Sequence, residues 1–176
     1  MRIIAGSLGG RRFTSPKGNR THPMSDKGRG ALFNALGDIG GLSVLDAFAG
    51  SGALSFEAVS RGAARATAIE RDRAAQQAVE AGIGMLCLGK EVKLIKANAA
   101  GWLKTSDETF DLILLDPPYD DLQPNLLANL AERTVNGGTV VLSLPPDAGF
   151  SLPERFERLA TKDYGDAQLV FYRKNG

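Results

Sequence analysis

The sequence predicts an α/β fold: a mostly parallel, doubly wound sheet with helices on both faces, closed by an antiparallel C-terminal hairpin. Three observations predict it. From Leu42 onward, short apolar runs alternate with helical stretches, the pattern of successive strand–helix–strand crossovers. The first such run, residues 43–48, opens into Ala49-Gly50-Ser51-Gly52, a glycine turn of the kind that joins a buried strand to a helix. The last two runs, residues 156–162 and 167–173, are separated only by Asp163-Tyr164-Gly165-Asp166. That link is too short for a crossover helix, so the two strands must be antiparallel neighbours at a sheet edge.

Taken in order, residues 1–24 read as a basic extension and residues 25–176 as the main domain. Arg2-Ile3-Ile4-Ala5 and Arg11-Arg12-Phe13-Thr14 flank a glycine-rich turn at Gly9-Gly10 and predict a small β-hairpin. Residues 16–24, rich in proline, glycine and basic side chains, predict a loop. Ser25 or Asp26 is placed to cap a helix with Ala31, Leu32, Ala35 and Leu36 on one face, its first turn weakened by Gly28 and Gly30. Parallel strands are then expected near 43–48, 66–70, 91–96, 110–115 and 138–144, with helices between them; one runs from Ala53 to about Arg61.

Size and composition narrow the possibilities. A chain of 176 residues, 43% hydrophobic and 23% charged, is expected to be a soluble globular protein with one sizeable core. No apolar run approaches the ~20 residues of a membrane helix, and the N-terminus lacks the apolar region of a secretory signal. With the single cysteine, Cys87, and no cluster of zinc ligands, neither an internal disulfide nor a metal is expected, and the expected location is the cytoplasm. Charge is unevenly spread: residues 1–30 carry seven Lys and Arg against Asp26 alone, about +6, leaving about −5 for the rest. A basic arm on a mildly acidic body points to a phosphate-rich partner.

Chemistry is concentrated in two places. A glycine turn at Gly50 and Gly52 lets backbone approach a ligand closely, and Glu70, 18 residues after Gly52, ends the second strand where an acidic side chain suits a pair of ribose hydroxyls. Farther on, Asp116-Pro117-Pro118-Tyr119 follows the apolar run 110–115. Two consecutive prolines end the strand abruptly and leave carbonyls without local N–H partners. A carboxylate on one side of that stiff turn and an aromatic ring on the other can accept hydrogen bonds from an NH2 group and stack on a flat ring. Methylation of a nucleobase amine needs that combination.

These residues resemble the class I S-adenosylmethionine-dependent methyltransferases, and more closely the RsmD family, which methylates the 2-amino group of one guanine in 16S ribosomal RNA. The resemblance covers Arg2-Ile3-Ile4-Ala5-Gly6, Gly10-Arg11-Arg12, Ala31-Leu32-Phe33-Asn34, residues 45–54, Ser60-Arg61-Gly62-Ala63 and Asp116-Pro117-Pro118-Tyr119. It implies a Rossmann-like, seven-stranded sheet and S-adenosyl-L-methionine as cofactor. It further implies 16S rRNA, within a partly or fully assembled small subunit, as substrate, while the small size and lack of an obvious extra apolar face predict a monomer. Departures fall at His22-Pro23-Met24, at Lys27-Gly28-Arg29-Gly30 and at Asn98, where many relatives have Asp.

On this resemblance, Asp116, Pro117, Pro118 and Tyr119 are the catalytic residues. Asp46, Phe48, Ala49, Gly50, Ser51, Gly52, Glu70, Arg71, Asn98 and Ala99 hold the cofactor; Arg71 or Asp72 flanks its adenine, and capping a helix is the alternative for Asn98. Arg11, Arg12, Arg20, His22, Lys27 and Arg29 are the expected RNA contacts through phosphates. Trp102 and Cys87, on helical stretches, are expected to serve packing, as are Tyr164 and Phe171 in the terminal hairpin. Other substrates stay open: the 6-amino group of a DNA adenine, or a protein glutamine amide, which usually goes with Asn in place of Asp116. A cofactor-binding RNA assembly factor without turnover is the non-enzyme alternative.

Overall fold

The computed structural model describes residues 1–18 and 23–176. Among them, seven strands form one sheet: β1 (Ser43–Asp46), β2 (Arg65–Glu70), β3 (Val92–Lys96), β4 (Phe110–Leu115), β5 (Thr134–Leu144), β6 (Phe156–Tyr164) and β7 (Ala167–Lys174). Their spatial order is β3-β2-β1-β4-β5-β7-β6. The first five pair in parallel, and β7 inserts antiparallel between β5 and β6. Five helices accompany them: α1 (Asp26–Leu36), α2 (Ala53–Ser60), α3 (Arg73–Leu86), α4 (Ala99–Thr105) and α5 (Pro124–Ala131). This is the expected class, with its terminal antiparallel pair.

Alternation along the strands divides the core into two layers. Val44, Ala66, Leu112, Leu114, Val141 and Phe171 face one side and pack with Leu32 and Phe33 of α1, Phe56 of α2 and Val79 of α3. Leu45, Ile69, Ile113, Leu115, Leu142 and Tyr172 face the other, against Trp102 of α4 and Leu127 and Leu130 of α5. The strand order reverses between β1 and β4, which opens a crevice beyond their C-terminal ends.

The N-terminal hairpin is reduced to a single bridge, Arg2 with Arg12, flanked by bonds such as Ile3 N–H to the Arg11 carbonyl at 2.9 Å. The ladder stops because the next two donors go elsewhere. Ile4 and Ala5 N–H donate to the two carboxylate oxygens of Glu57 on α2, at 2.8 and 3.1 Å. Ile3 and Phe13 are buried in the first core layer, with the Phe13 ring edge-on to Phe56. Gly6 is required here: its φ is +85°, and a Cβ would lie 1.9 Å from the Ser60 carbonyl oxygen.

Two strand boundaries differ from expectation. β1 stops at Asp46 because residues 47–52 already form the turn into α2. β5 begins at Thr134 because Thr134 pairs with Phe110, after which the register jumps to Thr139 opposite Leu112. Gly137 at φ +78° and Gly138, whose Cβ would crowd the Asp111 carbonyl, form that irregularity inside the strand, not a turn before it. Cys87 is not within a helix but caps the end of α3 in a left-handed conformation, and it is exposed, so it does not serve packing.

Candidate active site

Strand register assembles the site. Asp46 ends β1 and Glu70 ends β2. Asp116 follows β4, on the same face of the sheet as Leu112 and Leu114. These ends surround a cavity of about 1150 Å³, bordered by the 48–51 turn, Glu70 and Arg71, Asn98 and Ala99, and all of Asp116-Pro117-Pro118-Tyr119. Pro23, Met24 and Ser25 at the start of α1 border it too, with Tyr164 and Asp166 from the β6–β7 turn. Sequence reasoning did not place those last two groups at the site, because only the fold brings them there.

Glu70 ties the cavity's near wall together. One carboxylate oxygen accepts the Gly50 N–H and the other the Asp72 N–H, both at 2.7 Å. Gly50 has φ +55°, a left-handed conformation that glycine adopts without strain. Gly52 also has positive φ, but it faces inward: a Cβ there would lie 3.0 Å from the Phe56 ring. Its need for glycine therefore comes from helix packing and backbone conformation, not from ligand approach.

Asp46 is fully buried and adjoins the cavity wall at Ala47. Its Oδ2 accepts the Ser55 hydroxyl at 2.8 Å, whereas Oδ1 has no partner among the described residues. Burial pushes its carboxyl up to about 7, offset in part by Ser55 and reinforced by the nearby charges of Asp116 and Glu70. Burial likewise raises Asp116 to about 6, offset in part by the nearby Ser143 hydroxyl. Tyr119 is partly exposed to the cavity, and its hydroxyl lies 2.8 Å from Ser143 Oγ. The Pro117 carbonyl takes no hydrogen bond from the described residues. Ser55 and Ser143 were missed in the sequence, though Ser143 is the lone polar residue in the run Val140-Val141-Leu142-Ser143-Leu144.

Asn98 caps α4, its side-chain oxygen accepting the Gly101 N–H at 2.6 Å. Among the basic candidates, Arg11, Arg12 and Lys27 are exposed, and Arg11 also donates to the Met85 carbonyl at 2.9 Å. Arg20 and His22 lie outside the described residues. Arg29 corrects the expectation that it meets phosphate: its side chain has no exposed surface. Its guanidinium bonds the Arg2 carbonyl at 2.7 Å and Asp26 at 3.0 Å, and pairs with Glu57 at 3.7 Å.

A seven-stranded sheet of this order, with an acidic crevice at its β1/β4 reversal and an Asp-Pro-Pro-Tyr turn beside it, defines a class I methyltransferase. The chain belongs to the RsmD family of methyltransferases: the family model described as conserved hypothetical protein 95 matches residues 1–173. It is 33% identical to ribosomal RNA small subunit methyltransferase D of Haemophilus influenzae, over 98% of this chain and 92% of that one. With the Escherichia coli K12 protein of the same name, identity is 36% over 77% of this chain and 65% of the relative. A solved structure of a candidate methyltransferase, yhhF, from Escherichia coli superposes with a TM-score of 0.88 at 30% identity, covering 99% and 98% of the two chains.

Proposed function

We propose that this chain transfers a methyl group from S-adenosyl-L-methionine to the exocyclic 2-amino group of a guanine in 16S ribosomal RNA. Relatives named for small-subunit rRNA methylation support the substrate class. The observation that carries the chemistry is that the Asp116–Tyr119 turn opens into the same cavity as Glu70 and the Gly50 turn. At about 1150 Å³ that cavity exceeds the ~300–1,000 Å³ of a typical single-ligand site, leaving room for a nucleoside beside the cofactor.

The residues present fit the cofactor. Asp46 holds a buried, unpartnered carboxylate oxygen that suits a cationic amino group, and Glu70 keeps further lone pairs for ribose hydroxyls. Phe48, Ala49, Gly50 and Ser51 would line its methionine end, and Arg71, Asn98 and Ala99 its adenine. When bound, the cofactor supplies an electrophilic methyl group on a positively charged sulfur.

The chain's own residues then prepare the amine. An exocyclic amine is a poor nucleophile because its lone pair is delocalised into the ring. Asp116 and the Pro117 carbonyl accept its two N–H groups, pull the nitrogen toward a tetrahedral geometry and stabilise positive charge as it develops. Pro118 stiffens the turn, and Tyr119 stacks on the base, a contact worth ~1–3 kcal/mol. In-line placement of nucleophile and methyl group removes up to ~7–11 kcal/mol of barrier in favourable cases. Residues 1–24 form the RNA-docking extension of a catalytic domain spanning 25–176, with Arg11, Arg12, Arg20, His22 and Lys27 meeting phosphates. The chain acts as a cytoplasmic monomer on a partly or fully assembled small subunit.

Transfer of labelled methyl groups to naked 16S RNA and to 30S particles, followed by nucleoside digestion, tests this reading. Label in 2-methylguanosine is expected. Label only in adenine of a duplex DNA control would contradict it.

A further inference from the structure

Ser143 stands where the sheet's register carries β5 alongside the Asp116 turn. The last registered pair of β4 and β5 joins Leu115 to Leu142, so one further step along two parallel strands sets Ser143 beside Asp116. Both then face the first core layer, as Leu114 and Val141 do. Ser143 is 3% exposed, within a run of buried apolar residues, so its hydroxyl must be satisfied inside the protein. Its Oγ lies 2.8 Å from Tyr119 Oη, and the same hydroxyl works against the burial that raises the neighbouring Asp116 carboxyl. A serine hydroxyl offers one proton and two lone pairs, and an ionised carboxylate only accepts. Either hydroxyl can donate across the Tyr119–Ser143 contact, and only when the Tyr119 O–H donates to Ser143 Oγ is the Ser143 proton left for Asp116.

We infer that Ser143 is a positioning residue, holding the Asp116 carboxylate and the Tyr119 ring in one fixed relation so that both address the same base. The inference rests on the proposed function, since it assigns Ser143 a part in that reaction. Two consequences follow when donation runs from Tyr119 through Ser143 to Asp116. Ser143 engages part of the Asp116 carboxylate and turns the remaining lone pairs toward the incoming amine, while stabilising the ionised form that accepts N–H. Through its hydroxyl, Tyr119 is held at both ends, by the rigid prolines on one side and by β5 on the other. The ring then presents its face in a single orientation, without an ordering cost on binding the base.

The test uses the full chain with 16S RNA and labelled cofactor, comparing the wild type with Ser143→Ala and Ser143→Thr. Ser143→Ala is expected to lower kcat roughly ten- to a hundredfold, the loss of one charge-assisted hydrogen bond. Cofactor affinity should stay within about twofold, as Ser143 lies on the base side of the site. The acidic limb of the pH–rate profile should move to higher pH, because the bond that favours ionised Asp116 is gone. Ser143→Thr, which restores the hydroxyl on a residue suited to strands, should recover both rate and limb. A wild-type rate and an unmoved limb in Ser143→Ala would overturn the inference, as would loss of activity that Thr does not restore. Should Ser143→Ala fail to fold, Tyr119→Phe removes the other donor and should raise KM for RNA; unchanged kinetics there would also refute it. Absence of transfer by the wild type would overturn the functional reading itself, and this inference with it.

Discussion

Two carboxylates, Asp46 fully buried and Asp116 partly so, give the site its pH behaviour. Burial raises Asp46 from 3.8 to about 7, so the folded chain keeps a proton that the unfolded chain has already released between those values. Stability contributed at this position therefore falls as pH rises from about 4 to about 7. Asp46→Asn should be more stable than wild type at pH 8 by roughly 4 kcal/mol, a gap that closes near pH 4. The same variant should bind cofactor at least about tenfold more weakly, measured by calorimetry, since it loses the anionic partner of a cationic amino group; undiminished affinity would contradict the assignment. Asp116, raised to about 6 mainly by burial, must be ionised to accept an amine. Its kcat/KM profile should fall as pH drops through about 6, and an acidic limb near 4 would show that another group governs the reaction.

At the scale of elements, the N-terminal hairpin is held to α2 by a buried carboxylate. Glu57 is completely buried and accepts from Ile4 and Ala5 N–H while pairing with Arg29 and with Arg61 at 2.8 Å. Removing it takes the acceptor from the Ile4 and Ala5 N–H groups and one of two carboxylates from the buried Arg29, leaving Asp26. Glu57→Ala should destabilise the protein by about 3–5 kcal/mol in chemical denaturation, whereas a change near zero would mean the network does not hold the hairpin. This contact explains what the sequence did and did not disclose. The periodicity of residues 2–5 and 11–14 announced a hairpin, but a partner 52 and 53 residues away that intercepts its ladder leaves no local trace. Arg29 was unreadable for the same reason: in sequence it is one more charge in a basic run, and only docking of α1 against α2 and the hairpin buries it. The start of α1, with Ser25 or Asp26 as its cap, and the β6–β7 hairpin were legible because turn and capping chemistry is local; the cap is Ser25.

For the whole molecule, the doubly wound sheet was legible because parallel strands buried on both faces leave continuous apolar runs between helices. The placement of Asp46, Glu70 and Asp116 around one crevice follows from strand order, which motif spacing foreshadows and topology completes. Wall residues from α1 and the β6–β7 turn come from opposite ends of the chain and carry no motif. On the proposed function RNA docks on the basic arm, where Arg11 and Arg12 are exposed beside the hairpin bridge. Replacing both by Ala should weaken RNA binding across sequences and reduce the slope of log affinity against log salt by about 1.5. An unchanged slope would place RNA docking elsewhere.

The most direct test of the account is Asp116→Ala, assayed in parallel for cofactor binding and methyl transfer to 16S RNA. The account predicts cofactor affinity close to wild type with transfer reduced at least about a thousandfold, as expected when the main acceptor for the amine is lost. Transfer at the wild-type rate would contradict it.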